Sequence, residues 1–139
     1  MRICVFGAGA IGGNFAARLA AAGNEVSIVV RGAHLEAIRA RGLTLLTGDR
    51  KIVVPVQASD RPADLGPQDV VLSTMKASGQ HALAQTVAPL LRSDTMVAFV
   101  QKAARDPVFR LCSYEHLGEG STTAAPRPLG IGFLFPWEH

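Results

Sequence analysis

Apolar residues near the start of the chain follow two different periods, one typical of buried strands and one typical of helices. Residues 3–6 form an uninterrupted apolar run that ends at a glycine, which predicts a strand buried on both faces. Over residues 11–22 the apolar positions recur at four-residue spacing, which predicts a helix that ends at Gly23-Asn24. The apolar stripe of this helix consists of Ile11, Phe15, Ala16 and Leu19. Because residues 26–30 again form a β-rich apolar run, the pattern predicts a βαβ unit of about thirty residues.

The alternation of helices and strands continues through residue 100. A helix is predicted over residues 33–41, with Leu35 and Ile38 on its inner side and Gly42 at its end. The elements predicted after it are a hairpin of residues 43–46 and 52–56 around the turn 47–50, a buried strand over 69–74, a helix over about 80–91 and a strand over 95–100. Strands that alternate with helices favour an α/β fold with a doubly wound, mostly parallel sheet.

The pattern changes after Gln101, because residues 102–139 show neither a helical nor a strand period. This part is interrupted by Pro107, Pro126, Pro128, Pro136 and a loop-like stretch over 118–123. It also carries aromatic residues that a purely polar linker would lack, namely Phe109, Tyr114, Phe133, Phe135 and Trp137. We therefore predict a domain over residues 1–101 and leave 102–139 as an unassigned tail.

Composition and charge narrow the class of protein. With 48% hydrophobic and 18% charged residues, the 139-residue chain is expected to be globular and to bury one core. Its net charge of +3 comes from scattered basic residues, so no nucleic-acid surface is expected. No apolar stretch reaches the roughly 18 residues that a membrane-spanning helix needs. Cys4 and Cys112 lie far apart, and Cys4 falls in an apolar run, so we expect reduced thiols and a cytoplasmic protein.

A glycine-rich turn, Gly7-Ala8-Gly9-Ala10-Ile11-Gly12, lies between the first predicted strand and the first predicted helix. In a βαβ unit this spacing is typical of a dinucleotide site, with a specific use for each glycine. Gly7 allows the tight turn, Gly9 lets the backbone approach the pyrophosphate, and Gly12 lets the helix pack against the strand. The free N–H groups at the helix start would bind the phosphates. The alternative is a strand-to-helix turn that binds nothing.

Arg31 follows the second predicted strand directly, at the position where NAD-preferring sites carry an Asp or Glu. The nearest carboxylates are Glu25 before the strand and Glu36 in the following helix. A guanidinium binds a 2′-phosphate with two charge-assisted hydrogen bonds and cannot accept one from a ribose hydroxyl. The sequence therefore favours NADP(H), and the alternative is a solvated arginine at a strand end.

Lys76 comes shortly after the predicted strand 69–74, so it is expected near the edge where α/β sheets bind ligands. There it would contact the cofactor or a substrate carboxylate, and the alternative is a solvated lysine at a strand end. The histidines, His34, His81, His116 and His139, lack the spacing of a metal site. Neither a G-x-S-x-G turn nor another nucleophile paired with a base is found.

Several short segments, taken together, resemble one known family. They are residues 1–13 with the glycine turn, Val30-Arg31-Gly32, Arg41-Gly42-Leu43 ahead of the hairpin, and Asp69-Val70-Val71-Leu72 leading to Lys76-Ala77. The combination is similar to the ketopantoate reductases (2-dehydropantoate 2-reductases) and covers about residues 1–101. The resemblance implies an NADPH-dependent reduction of the small 2-oxo acid ketopantoate to pantoate, a step of pantothenate biosynthesis. It also implies that Gly7, Gly9 and Gly12 bind the pyrophosphate and that Arg31 binds the 2′-phosphate. Lys76 would match the family's lysine in the crevice between cofactor and substrate.

The chain departs from the family at Gln101, which is followed by Lys102-Ala103 where the family continues Gln-Asn-Gly or His-Asn-Gly. Such an abrupt change is what a frameshift or truncation within the gene would produce. The family's C-terminal helical domain, with its catalytic lysine and substrate-binding glutamate, has no counterpart in the sequence, so no catalytic residue is assigned. The alternatives are a truncated, inactive dinucleotide-binding module and a related reductase of another 2-oxo acid. The aromatic tail also predicts aggregation or self-association as a homo-oligomer.

Overall fold

The computed structural model describes residues 1–76, 85–102 and 107–113. Its strands are β1 (Arg2–Phe6), β2 (Glu25–Val29), β3 (Leu43–Thr47), β4 (Arg50–Val54), β5 (Gln57–Ser59), β6 (Val70–Ser73), β7 (Met96–Lys102) and β8 (Pro107–Ser113). Its helices are α1 (Ala10–Ala21) and α2 (Ala33–Arg41), with short 3₁₀ helices at Pro62–Asp64 and Ala88–Leu90.

Six of these strands form one sheet in the order β5-β2-β1-β6-β7-β8. The first five strands in that order run parallel, and β8 pairs antiparallel with β7. The remaining two, β3 and β4, form a separate antiparallel hairpin. This confirms the predicted Rossmann-type α/β fold with a mostly parallel sheet, because β1 lies in the middle and consecutive units extend to either side of it.

The central strand β1 is buried on both faces, as its apolar run predicts. Cys4 and Val5 are both fully buried and point to opposite sides of the sheet. Val5 belongs to the core under α1 and α2, whereas Cys4 packs on the opposite face with Val71 and Leu90. Alternating side chains of one strand therefore fill two separate cores.

Helix α1 packs on the sheet through a face that shares Ala16 with the predicted stripe of Ile11, Phe15, Ala16 and Leu19 but is shifted towards the small residues. Its buried residues are Gly12, Ala16 and Ala17. Ile11 is 48% exposed, and Phe15 and Leu19 are only partly buried, so the prediction for Ile11 is wrong. The reason is close packing: small residues bring the helix backbone near β1, and the large side chains then lie at the margins of the contact.

Helix α2 and the hairpin agree with the sequence pattern. Leu35 and Ile38 are the buried residues of α2, and Gly42 follows its last residue. The two strands of the hairpin are joined through a turn at Gly48-Asp49. The predicted helix over about 80–91 lies in part outside the described residues, as does His81, and residues 88–90 form a 3₁₀ helix that contains Pro89.

Two strands were not expected from the sequence. β5 has only three residues, Gln57–Ser59, and β8 lies within the part of the chain that was left unassigned. Because β7 ends at Lys102 and β8 extends the same sheet, the strand pairing continues beyond Gln101. The division of the chain at residue 101 stays a prediction.

Polar side chains at the amino ends of the parallel strands bind one another. Asp69, directly before β6, accepts a hydrogen bond of 2.6 Å from the Arg2 backbone N–H and a second from the Arg92 guanidinium. The buried Gln68 side chain donates to two carbonyls of the preceding turn, at 3.0 and 2.9 Å. The Thr95 hydroxyl donates to the Gln68 carbonyl at 2.7 Å. These bonds tie β1, β6 and β7 together at one edge.

None of the described helices combines the length and the apolar composition that a membrane-spanning segment requires.

Candidate functional site

A cleft of about 550 Å³ opens at the opposite edge, where the parallel strands end. It is lined by Phe6, Gly7, Ala8, Gly9, Val29, Val30, Arg31, His34, Asp60, Pro62, Met75 and Thr86. Most of these residues follow or terminate β1, β2, β5 and β6, so four neighbouring strands contribute to the cleft. The cleft lies at the point where chain order diverges from β1 towards β2 on one side and β6 on the other, which is where open α/β sheets bind ligands.

Gly7 forms the tight turn that the sequence predicts at the end of β1. Its φ of +98° lies in the region that disfavours residues with a side chain. Its backbone N–H donates to the Val29 carbonyl at 3.1 Å, so the turn stays attached to β2. A Cβ at this position would also lie 3.1 Å from the Met75 Cγ atom. Both the positive φ and the short distance to Met75 therefore favour glycine at position 7.

Gly12 is the point of closest approach between α1 and β1. A Cβ built there would overlap the Gly7 carbonyl oxygen and lie 2.5 Å from the Thr74 Oγ1 atom. The Thr74 hydroxyl in turn donates a hydrogen bond to the Gly7 carbonyl. The predicted packing role of Gly12 is thus visible in the geometry. Thr74, which sequence analysis did not single out, fastens the glycine turn to the end of β6.

Gly9 differs from the other two glycines because it lies in open space. It is the residue that precedes α1, with φ of −71°, and a Cβ built on it would meet nothing within 4 Å. The first helical hydrogen bond runs from the Gly13 N–H to the Gly9 carbonyl, at 2.8 Å. The N–H groups of Ala10, Ile11 and Gly12 therefore precede the hydrogen-bonded part of the helix. No side chain caps this end, and its first turn carries no acidic residue.

Arg31 lies two residues after the end of β2, lines the cleft and is exposed. Among the residues that the structure describes, no hydrogen bond or ion pair engages its guanidinium. The structure thus places Arg31 and the glycine turn in one cleft. The cation and the open helix end form a surface suited to a ligand with separated phosphates.

His34 and Asp60 are cleft residues that sequence analysis did not assign to the site. His34 lies in the first turn of α2, just after the strand end that carries Arg31, so its closeness in sequence to Arg31 could have indicated it. Asp60 follows β5, which pairs with β2. No local signal could have found Asp60, because its proximity to Arg31 depends on which strands are neighbours.

Lys76 is exposed and follows Met75, which lines the cleft. Lys76 itself is not among the described residues that line it. A contact between Lys76 and the cofactor therefore stays a prediction.

Cys4 has no chemical role in this site. It is fully buried in the core, and burial, partly offset by a hydrogen bond with Ser27, raises the pKa of its thiol to about 12. The protonated thiol is a poor nucleophile. No group of three or more potential metal ligands occurs in the parts of the chain that the structure describes.

Comparison with known proteins identifies relatives of the described fold. The family described as "Ketopantoate reductase PanE/ApbA" matches residues 3–107. A 2-dehydropantoate 2-reductase of Mesorhizobium japonicum is 47% identical over 102 residues, which are 73% of this chain and 31% of that protein. A solved PanE/ApbA family ketopantoate reductase of Ralstonia eutropha superposes with a TM-score of 0.69 at 34% identity, over 73% of this chain and 34% of the other.

A second activity occurs among the similar structures. D-mandelate dehydrogenase, solved with NADH and anilino(oxo)acetate, superposes with a TM-score of 0.67 at 25% identity, over 73% of this chain and 33% of that one. The chain thus spans about a third of the length of the proteins that it matches. Because the family match covers most of the chain, and the fold and the glycine turn agree with it, this protein belongs to the ketopantoate reductase family of oxidoreductases.

Proposed function

We propose that this chain binds NADPH in the cleft at the carboxyl ends of the strands and serves in the reduction of 2-dehydropantoate to pantoate. The observation that carries the proposal is the unpaired Arg31 guanidinium in the same cleft as the open N-terminus of α1. One provides a cation for a 2′-phosphate, and the other provides N–H donors for a pyrophosphate.

The residues present fit such a dinucleotide. The cleft volume of about 550 Å³ is within the range of small-molecule and cofactor sites. The space above Gly9 is open, so the backbone can approach a phosphate without a side chain between them. The absence of acidic residues from the first turn of α1 leaves the partial positive charge of the helix end available.

The described residues support cofactor binding more directly than they support turnover. When bound, a nicotinamide cofactor supplies the hydride for reduction of a ketone. The protein must also hold the 2-oxo acid and donate a proton to the new alkoxide. Among the described residues that line the cleft, the titratable ones are Arg31, His34 and Asp60, and all three lie at the end formed by β2 and β5. Lys76 follows β6, on the other side of β1.

A cofactor-binding module without turnover is therefore the second candidate for the function of this chain. A reductase of another 2-oxo acid is the third, and its support is the structural similarity to D-mandelate dehydrogenase. All three candidates bind the dinucleotide, and they differ in whether a substrate is reduced and in which 2-oxo acid that substrate is.

The first test is a calorimetric titration of NADPH and NADH into the full chain and into Arg31→Ala. We expect the parent to prefer NADPH about tenfold to a hundredfold, since a charge-assisted hydrogen-bonded contact contributes roughly 1.5–3 kcal/mol. Arg31→Ala should lose that preference by weakening NADPH alone. Arg50→Ala, which removes a cation from the exposed hairpin, is the matched control and should bind as the parent does. Equal affinities in the parent, or an unchanged Arg31→Ala, would contradict the assignment.

A further inference from the structure

Asp60 is a carboxylate that strand pairing brings beside the strand end carrying Arg31. β5 pairs in parallel with β2, with Ser59 opposite Val29, and the Val30 N–H donates to the Ser59 carbonyl at 3.0 Å. Asp60 comes directly after this last hydrogen bond and lines the same cleft as Arg31. The sequence places no carboxylate at the end of β2, but the sheet supplies one from the neighbouring strand.

The arginine next to Asp60 is engaged with other groups, and the Asp60 carboxylate has no partner among the described residues. The Arg61 guanidinium donates to both carboxylate oxygens of Asp64, at 3.2 and 3.0 Å, and its backbone N–H donates to the Ser59 hydroxyl at 3.1 Å. The Ser59 hydroxyl donates to Asp64 at 2.7 Å, and together with Arg61 it lowers the pKa of that carboxyl. Within residues 1–76 and 85–100, no hydrogen bond or ion pair engages Asp60.

An unpaired carboxylate and an unpaired guanidinium in one cleft favour different forms of the same ligand. An ionised carboxylate only accepts hydrogen bonds, and a ribose hydroxyl can donate one to it. A phosphate on that hydroxyl removes the donor and adds negative charge, which a nearby carboxylate repels. Arg31 acts in the opposite sense, because a guanidinium attracts the phosphate.

We propose that Asp60 is a second specificity-determining residue at the end of the cleft formed by β2 and β5, where the adenosine ribose would lie next to Arg31. It accepts a hydrogen bond from the ribose 2′-hydroxyl of NADH and repels the 2′-phosphate of NADPH. The cofactor preference of this chain is then set by the balance between Arg31 and Asp60, and Asp60 keeps NADH a usable ligand. This inference rests on the proposed function, since it needs a dinucleotide in the cleft.

The test is the affinity of the full chain for both cofactors before and after Asp60→Asn. We expect NADPH to bind about two- to fivefold more tightly and NADH to bind more weakly by a similar factor, as is usual for exposed charge interactions. Asp49→Asn makes the same change of charge in the exposed hairpin turn and should alter neither affinity. Asp60→Ser, which also removes the charge, should shift the NADPH/NADH ratio in the same direction as Asp60→Asn.

Three outcomes would overturn the inference. If Asp60→Asn changes both affinities by the same factor, the carboxylate contacts a part common to the two cofactors. If the ratio stays at the parent value while the parent binds NADPH, Asp60 does not contact the ribose and only this inference fails. If the parent binds neither cofactor, the proposed function fails together with the inference.

Discussion

The two edges of the parallel sheet differ in their unpaired groups. Thr74, Ser59 and Asp64 are hydrogen-bonded at the carboxyl edge, but charged groups of the cleft are not, among the residues that the structure describes. At the amino edge, Asp69, Gln68 and Thr95 bind one another or the backbone, and Asp69 also pairs with Arg92. At the carboxyl edge, the Arg31 guanidinium and the Asp60 carboxylate have no partner among the described residues. The buried Ser73 hydroxyl at the end of β6 likewise has no hydrogen-bond partner there.

This difference separates a stabilising role from a binding role. Polar groups that bind one another lower the free energy of the folded chain. The exposed Arg31 and Asp60 side chains add no such stabilisation until a ligand arrives, and the buried, unpaired Ser73 hydroxyl costs stability. The carboxyl edge therefore has its binding groups in place before the ligand arrives, and the amino edge fixes the strands that position them. Changes to the unpaired groups and the open space of the cleft should alter affinity, and changes to the bonded groups of the amino edge should alter stability.

The largest expected effect concerns turnover at the carboxyl edge. We expect the purified chain to oxidise NADPH with 2-dehydropantoate far more slowly than a full-length family reductase. Among the described residues, the titratable side chains that line the cleft lie only at the end formed by β2 and β5, so none is placed to hold the ketone near β6. Loss of positioning alone can remove about 7–11 kcal/mol of barrier lowering. Loss of a general acid lowers the rate by roughly another factor of 10²–10⁴.

The assay compares this chain with a full-length relative under identical conditions, following the absorbance of NADPH. A rate within about tenfold of that control would mean that the chain completes the site with residues outside the described ranges. The carboxyl edge would then catalyse the reaction as well as bind the cofactor.

The next largest effect concerns Gly9, which lies in open space, in contrast to Gly12, which packs against β1. Gly9→Val should abolish measurable NADPH binding and leave the fold intact, because its side chain would fill the open space that a pyrophosphate needs. Gly9 has φ of −71°, so the substitution introduces no left-handed backbone strain. Isothermal titration gives the affinity, and a thermal melt gives the stability.

Gly12→Ala is the matched control in the same turn. Its added methyl group would overlap the Gly7 carbonyl, so it should lower the free energy of unfolding by about 1–3 kcal/mol. If Gly9→Val bound NADPH as the parent does, the glycine turn would be structural only.

The smallest effect tests the amino edge and has a defined pH dependence. The Arg2 backbone N–H and the Arg92 guanidinium hold the pKa of Asp69 below its ordinary 3.8. A carboxyl with a lowered pKa stabilises the folded state above its unfolded pKa, and that stability is lost as pH falls through the folded pKa. Asp69→Asn should therefore be less stable than the parent at neutral pH, and the difference should shrink below the ordinary pKa.

Denaturant unfolding of both proteins at several pH values measures this difference, and a titration at neutral pH checks the affinity for NADPH. Asp94→Asn, which removes a carboxylate paired with Arg92 at the exposed end of the same edge, serves as the control for charge. If Asp69→Asn kept full stability but lost affinity for NADPH, the amino edge would take part in binding, which would contradict its purely stabilising role.

Most of the secondary structure could be predicted from the sequence because it depends on patterns within a few neighbouring residues. β1, β2, β6 and β7 are apolar runs, and α2 carries its buried residues, Leu35 and Ile38, at helical spacing. β5 escaped prediction because three residues cannot establish a period. β8 begins at Pro107, inside the part of the chain for which the sequence indicated no period, and its place in the sheet depends on pairing with β7.

The sequence by itself determined the glycine turn, the cation at Arg31 and their place in a βαβ unit, because these features depend on neighbouring residues. Only the tertiary structure decided that Ile11 lies outside the contact between α1 and the sheet, since helix packing selects the small residues that allow close approach. It also decided that Asp60 joins Arg31 in the cleft. The two residues are about thirty positions apart, and only the pairing of β5 with β2 brings the ends of their strands together.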